Sequence, residues 1–131
     1  MPQAPVVLLV EGDIAVRHPL AEYLRECGFV VFEAATGDEA MRALDAPHLQ
    51  IEVMLADMTT AGCGFVLRQW VRARNLDVEV ILAGSLETAV DQAGGLCNDG
   101  PALAKPYQHH LVLDRIRQVL ARRERGEGNC P

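Results

Sequence analysis

Three near-continuous apolar stretches, PVVLLV at 5–10, IEVMLA at 51–56 and VEVILA at 78–83, restrict this chain more than any other feature. A strand with one wet face alternates apolar and polar residues. A strand covered on both faces reads as an apolar run, and sheets covered on both faces are the parallel sheets of α/β folds. Each run stops on an abrupt polar signal: Glu11-Gly12-Asp13, Asp57 and Gly84-Ser85. Two shorter stretches, 29–33 and 102–104, read as further strands.

Helical periodicity fills the intervals. Val16, Leu20, Tyr23, Leu24 and Cys27 recur at helical spacing, with Asp13 as N-cap and Gly28 as stop. Pro19 lies inside that stretch, so the helix either starts late or has irregular first turns. Thr36 opens a helix to residue 45 with Glu39 at capping-box spacing. Phe65, Leu67, Trp70 and Val71 fit a third helix ending near Asn75, a weak one spans 86–93, and Val112, Leu113, Ile116, Val119 and Leu120 mark a strong last one. Five strands alternating with five helices predict an α/β, flavodoxin-like (βα)5 doubly wound sandwich, a five-stranded parallel sheet of order 2-1-3-4-5. The expected domain is 5–123, with 124–131 a disordered tail.

Composition narrows the function. At 131 residues the chain has room for one domain. A net charge of −6 repels a nucleic-acid backbone, and Arg115, Arg117, Arg122, Arg123 and Arg125 cluster where they suit a helix C-terminus. No nucleic-acid partner is expected. No apolar run reaches the ~18 residues of a membrane span, and 1–5 lacks a signal-peptide pattern, so no membrane association and a cytoplasmic location are expected. Cys27, Cys63, Cys97 and Cys130 form no C-x-x-C pair and read as buried or idle thiols.

In sheets of this order, sites form beyond the carboxyl ends of the strands, at the switch point between strands one and three. That places Glu11, Gly12 and Asp13 beside Asp57. Carboxylates gathered at one edge repel each other unless a hard cation such as Mg²⁺ sits among them. Lys105, the only lysine against eleven arginines, leaves the fifth strand at the same edge. A carboxylate nucleophile, a metal and an ammonium make a phosphoryl-transfer site. Singly these signals are ordinary: an acid after a strand is usually a helix cap, and Lys-Pro is usually a loop. His109 and His110 open the last helix and read as solvated. Trp70 and Tyr107 fit either partner contacts or partly buried core.

The segments VVLLVEGD with Arg17 following, LAEYLRECGF, EAATGDEAM, VMLAD ending at Asp57, the later Gly64-Phe65, and LAKPY resemble the receiver domain of two-component response regulators, the CheY-like superfamily, over roughly residues 5–123. The resemblance implies a stand-alone phosphorelay switch rather than an enzyme, one that at most catalyses its own phosphotransfer and dephosphorylation. It implies Asp57 as phosphoacceptor from a sensor histidine kinase or phosphotransfer protein, and Lys105 as phosphoryl contact. Mg²⁺ would be held by Glu11, Asp57 and the backbone carbonyl of Thr59, with Asp13 a further candidate, and output would pass to a downstream protein. Four positions depart from the family. Gly12 stands where a second metal carboxylate is usual, so Mg²⁺ binding is expected to be weak. Ala61 sits near the usual proline. Gly84 replaces a Ser or Thr, leaving Ser85 as a candidate substitute hydroxyl, and Ala102 replaces the switch aromatic. Gly12, Gly84 and Ala102 are the features that support the runner-up reading, a degenerate receiver that binds partners without phosphorylation. A haloacid-dehalogenase-type hydrolase would need an Asp where Thr59 stands. Flavodoxin-like cofactor binding would need a phosphate loop where Glu11 and Asp13 would repel the phosphate.

Overall fold

The computed structural model of the chain describes residues 4–59, 64–85 and 103–126. Along the chain these form β1 (Val6–Val10), α1 (Ile14–Glu26), β2 (Val30–Ala34), α2 (Gly37–Leu44), a 3₁₀ turn at Pro47–Leu49, β3 (Val53–Asp57), α3 (Gly64–Ala73), β4 (Glu79–Ser85), β5 (Leu103–Lys105) and α4 (His109–Glu124). All strand pairings are parallel, and the sheet order is β2-β1-β3-β4-β5, as the sequence predicts. The weak helix expected at 86–93 lies outside the described residues. Glu124, expected to open the tail, closes α4, and a turn follows through Gly126; 127–131 lie outside the described residues.

Each apolar run is a strand buried on both faces. Val7 and Leu9 of β1, Val53 and Leu55 of β3 and Ile81 and Ala83 of β4 pack against Leu20 and Leu24 of α1 and Val112, Ile116 and Val119 of α4. Their neighbours Leu8, Val10, Met54, Ala56, Val80 and Leu82 face the other way, onto Ala40 and Leu44 of α2 and Leu67 and Val71 of α3. The direction of travel reverses between β1→β2 and β2→β3, so right-handed crossovers put α1 on one face and α2 and α3 on the other. Each fully buried Leu or Val contributes about 1.5–3 kcal/mol to this two-sided core.

Helix ends follow local chemistry. Asp13 Oδ1 accepts from Ala15 N–H at 2.9 Å and caps α1, as its position suggests. Gly28 adopts φ 101°, and the paired bonds Gly28 N–H to Arg25 O and Phe29 N–H to Leu24 O close the helix. Asn75, at φ 54°, ends α3 with the same pair of bonds, to Arg72 O and Val71 O. The reading of Pro19 is corrected: α1 runs from Ile14 straight through it. Pro19 and Ala15, the residue whose carbonyl Pro19 cannot serve, are both exposed, so water can serve that carbonyl. At α2, Thr36 Oγ1 accepts from Glu39 N–H at 3.2 Å, but Glu39 reaches back to the N–H of Ala35, one residue before the cap.

Candidate functional site

Three strands deliver charge to one edge of the sheet. Glu11 follows the last residue of β1, Asp57 ends β3 and Lys105 ends β5. Glu11 and Asp57 are buried, at 5% and 3% exposure, while the Lys105 side chain keeps 22%. Lys105 Nζ donates to Glu11 Oε2 at 2.5 Å and lies 3.4 Å from Asp57 Oδ2, so one ammonium joins the two carboxylates. Burial opposes the charge on Lys105, but the bond to Glu11 and the field of Asp57 outweigh it and raise the ammonium pKa above its ordinary value.

Glu11 is held on every polar atom. Its N–H donates to Ala34 O at 3.0 Å. Its carbonyl accepts from Arg17 Nη1 at 2.7 Å, and Oε1 accepts from Asp13 N–H at 3.1 Å. Asp57 Oδ2 accepts from Thr59 Oγ1 at 2.8 Å, and Met58 N–H donates to Ala83 O at 2.8 Å, fastening the start of the following loop to β4. Behind Lys105, the Tyr107 ring centroid lies 5.7 Å from Nζ. Burial, with the negative charges of Glu11 and Asp57, pushes the Tyr107 phenol far above its ordinary range, so it stays a neutral hydroxyl.

The structure thus brings together Glu11, Asp57 and Lys105, with Thr59 alongside. Asp13 is exposed and its Oδ1 serves the α1 cap, so its backbone, rather than its carboxylate, is what contacts Glu11. Gly12 is exposed. Ser85 pairs in register with Lys105 as the last residue of β4, and Gly84 pairs with Ala104. Ala61, Ala102, Cys63, Cys97 and Cys130 lie outside the described residues, and Cys27 is a half-buried free thiol.

Some contacts were invisible in the sequence. The Thr59 hydroxyl bonds Asp57, whereas only its carbonyl had been assigned a role. Arg17 bonds the Glu11 carbonyl and, through Nε, Glu33 Oε1 at 3.0 Å. Arg68 of α3 is 3% exposed, a buried cation that no pattern singled out. His109 is not simply solvated, since its ring lies 5.2 Å from that of Tyr23. Trp70 and Tyr107 are both half-buried against the core, and the Arg74 guanidinium covers Trp70 at 4.6 Å.

Among the described residues, the ammonium of Lys105 contacts both acidic side chains. Carboxylate and backbone oxygens are the donors that Mg²⁺ accepts, and Mg²⁺ takes one or two protein carboxylates and keeps waters elsewhere. The donor set of Glu11, Asp57 and the Thr59 carbonyl fits such an ion. Among the described residues no group of three His, Cys, Asp or Glu side chains assembles.

No family model matches the chain. The sensory transduction protein RegX3 of Mycobacterium tuberculosis is 30% identical over 118 residues, which cover 88% of this chain and 51% of that protein. The chain therefore spans about half the length of the curated relatives it matches. Among solved structures, the receiver domain of Francisella response regulator 1452 superposes with a TM-score of 0.79 at 22% identity, over 90% of this chain and 98% of that one. The receiver domain of the hybrid histidine kinase CckA gives 0.72 at 28% identity, over 88% and 98%.

Proposed function

Because the chain belongs to the response-regulator receiver domains, which act as signalling switches, we propose that Asp57 accepts a phosphoryl group from a sensor histidine kinase or phosphotransfer protein, and that the signal leaves through protein contacts. The observation that carries this reading is the convergence of Glu11, Asp57 and Lys105 on one ammonium at the sheet edge. Asp57 attacks phosphorus, the donor's leaving group departs, and the product is an acyl phosphate. Glu11, Asp57 and the Thr59 carbonyl would hold Mg²⁺, which supplies charge neutralisation on the transferring oxygens. Lys105 supplies the second positive charge and donates to the same oxygens. To do so it must leave Asp57 Oδ2, and the Glu11 carboxylate gives it a second anchor as it moves.

Residues 5–123 form the proposed unit, working in the cytoplasm. No helix among the described residues is long and apolar enough to cross a membrane. Incubation with acetyl phosphate tests the reading. Label should appear only with Mg²⁺ and be released by hydroxylamine, as an acyl phosphate is. Metal-independent or hydroxylamine-stable label would contradict it.

A further inference from the structure

We propose that Arg17 is a positioning residue that braces the backbone of Glu11 so that its carboxylate is presented to a divalent cation, and that Glu33 is the anchor that keeps the guanidinium there. This rests on the reading of the acidic edge as a Mg²⁺-assisted phosphoacceptor site. Arg17 lies on the first turns of α1 with its side chain 12% exposed. Its fork reaches two groups at once: Nη1 donates to Glu11 O at 2.7 Å and Nε to Glu33 Oε1 at 3.0 Å. A planar guanidinium can bridge a carbonyl and a carboxylate in fixed directions; an ammonium cannot.

Glu33, near the end of β2, is itself fastened. Arg25 Nη1 and His18 Nδ1 each lie 3.2 Å from its Oε2, and Arg25 Nη2 donates to Val31 O at 2.8 Å. Burial would raise the Glu33 pKa, but the bonds from Arg17, His18 and Arg25 prevail and lower it, so the anchor stays ionised. The brace acts where β1 gives way to the turn that leads to Asp13, the cap of α1. With the Arg17 bond lost, the turn that sets Asp13 N–H against Glu11 Oε1 would loosen, and the carboxylate would lose its fixed orientation.

Electrostatics and positioning predict opposite signs, which makes the proposal testable. Removing a nearby cation should by charge alone tighten Mg²⁺ binding; removing the brace should weaken it. Calorimetric Mg²⁺ titrations of the wild type, Arg17→Met, Arg17→Lys and Arg25→Met decide, with thermal unfolding confirming that each is folded. We expect Arg17→Met to bind about 10-fold more weakly, the low end of what groups supporting metal ligands usually cost. Arg17→Lys should fall between, and carries the test if the Met variant does not fold. Arg25→Met takes a partner from Glu33 without touching Glu11 and should bind as the wild type does. Equal or tighter binding by the Arg17 variants, or the same loss in Arg25→Met, would overturn the proposal while leaving the phosphoacceptor reading intact. A wild type that binds no Mg²⁺ would overturn both.

Discussion

At the end of β2 one carboxylate, Glu33, gathers the three basic side chains Arg17, His18 and Arg25, whereas at the ends of β1, β3 and β5 two carboxylates share the single ammonium of Lys105. Glu22 also pairs with Arg25, so neighbouring strands carry two clusters with different ratios of acids to bases. The Glu33 cluster matches its two arginines with two carboxylates and acts as a clamp between α1 and β2. The Glu11–Asp57 cluster gathers two buried carboxylates on the Lys105 ammonium and so presents the oxygen donors that a hard cation takes. The same residue types build a fastening in one place and the proposed phosphoacceptor site in the other, and burial separates them: Glu11 and Asp57 are buried, whereas Glu22 of the Glu33 cluster is half exposed.

The difference is tested most severely at Lys105. Lys105→Met removes the one ammonium common to both carboxylates, and phosphoryl transfer to Asp57 should fall on the order of 100-fold or more, measured as the labelling rate with acetyl phosphate. Arg25→Met, in the Glu33 cluster but without contact to Glu11, should leave that rate far closer to wild type. If the two variants lose activity equally, the contrast between the clusters is false. Gly12→Asp should sharpen it in the other direction: a second acid in the β1 turn should tighten Mg²⁺ binding about 10-fold or more in a calorimetric titration. Equal affinities would mean that another group already serves as that ligand.

The clusters should also weaken at opposite ends of the pH scale. Glu33 has a pKa lowered from 4.5, so its contribution to stability is complete above that value and is lost as the pH falls through the lowered one. Lys105 has a pKa raised from 10.5, so its contribution is complete below that value and is lost as the pH rises through the raised one. Thermal midpoints across the pH range should show the acid-side loss reduced in Glu33→Gln and the alkaline-side loss reduced in Lys105→Met. Each effect should be modest, about 1 kcal/mol, because solvent screens these ion pairs. The smallest change is expected beyond the site. Gly84 has no hydroxyl to follow a phosphoryl group and Ala102 no ring to follow the hydroxyl, so beryllofluoride should alter hydrogen exchange less across 84–110 than around Asp57. Equal changes in the two regions would reveal a switching route through other residues.

The sheet was legible because burial on both faces leaves a one-dimensional trace: the runs at 5–10, 51–56 and 78–83 became β1, β3 and β4 with their order intact. The convergence of Glu11, Asp57 and Lys105 was legible for the same reason, since strand order and strand ends are properties of the pattern. What the pattern did not carry were polar contacts between elements. Arg17 to Glu33 and Thr59 to Asp57 depend on side-chain direction, which no spacing encodes. Asp13 shows the ambiguity of a short acidic turn, where spacing fits both a helix cap and a metal ligand, and the structure adds that its Oδ1 accepts from Ala15 N–H. Pro19 misled because the bond it cannot make costs little here: the Ala15 carbonyl left without its N–H lies on an exposed face, where water can serve it.

The central claim is that Asp57 is the phosphoacceptor, and intact-mass measurement tests it most directly. Wild type and Asp57→Asn are each incubated with acetyl phosphate and Mg²⁺ and weighed. The wild type should gain the mass of one phosphoryl group and the variant none. A variant that gains the same mass would place the acceptor elsewhere and contradict the account.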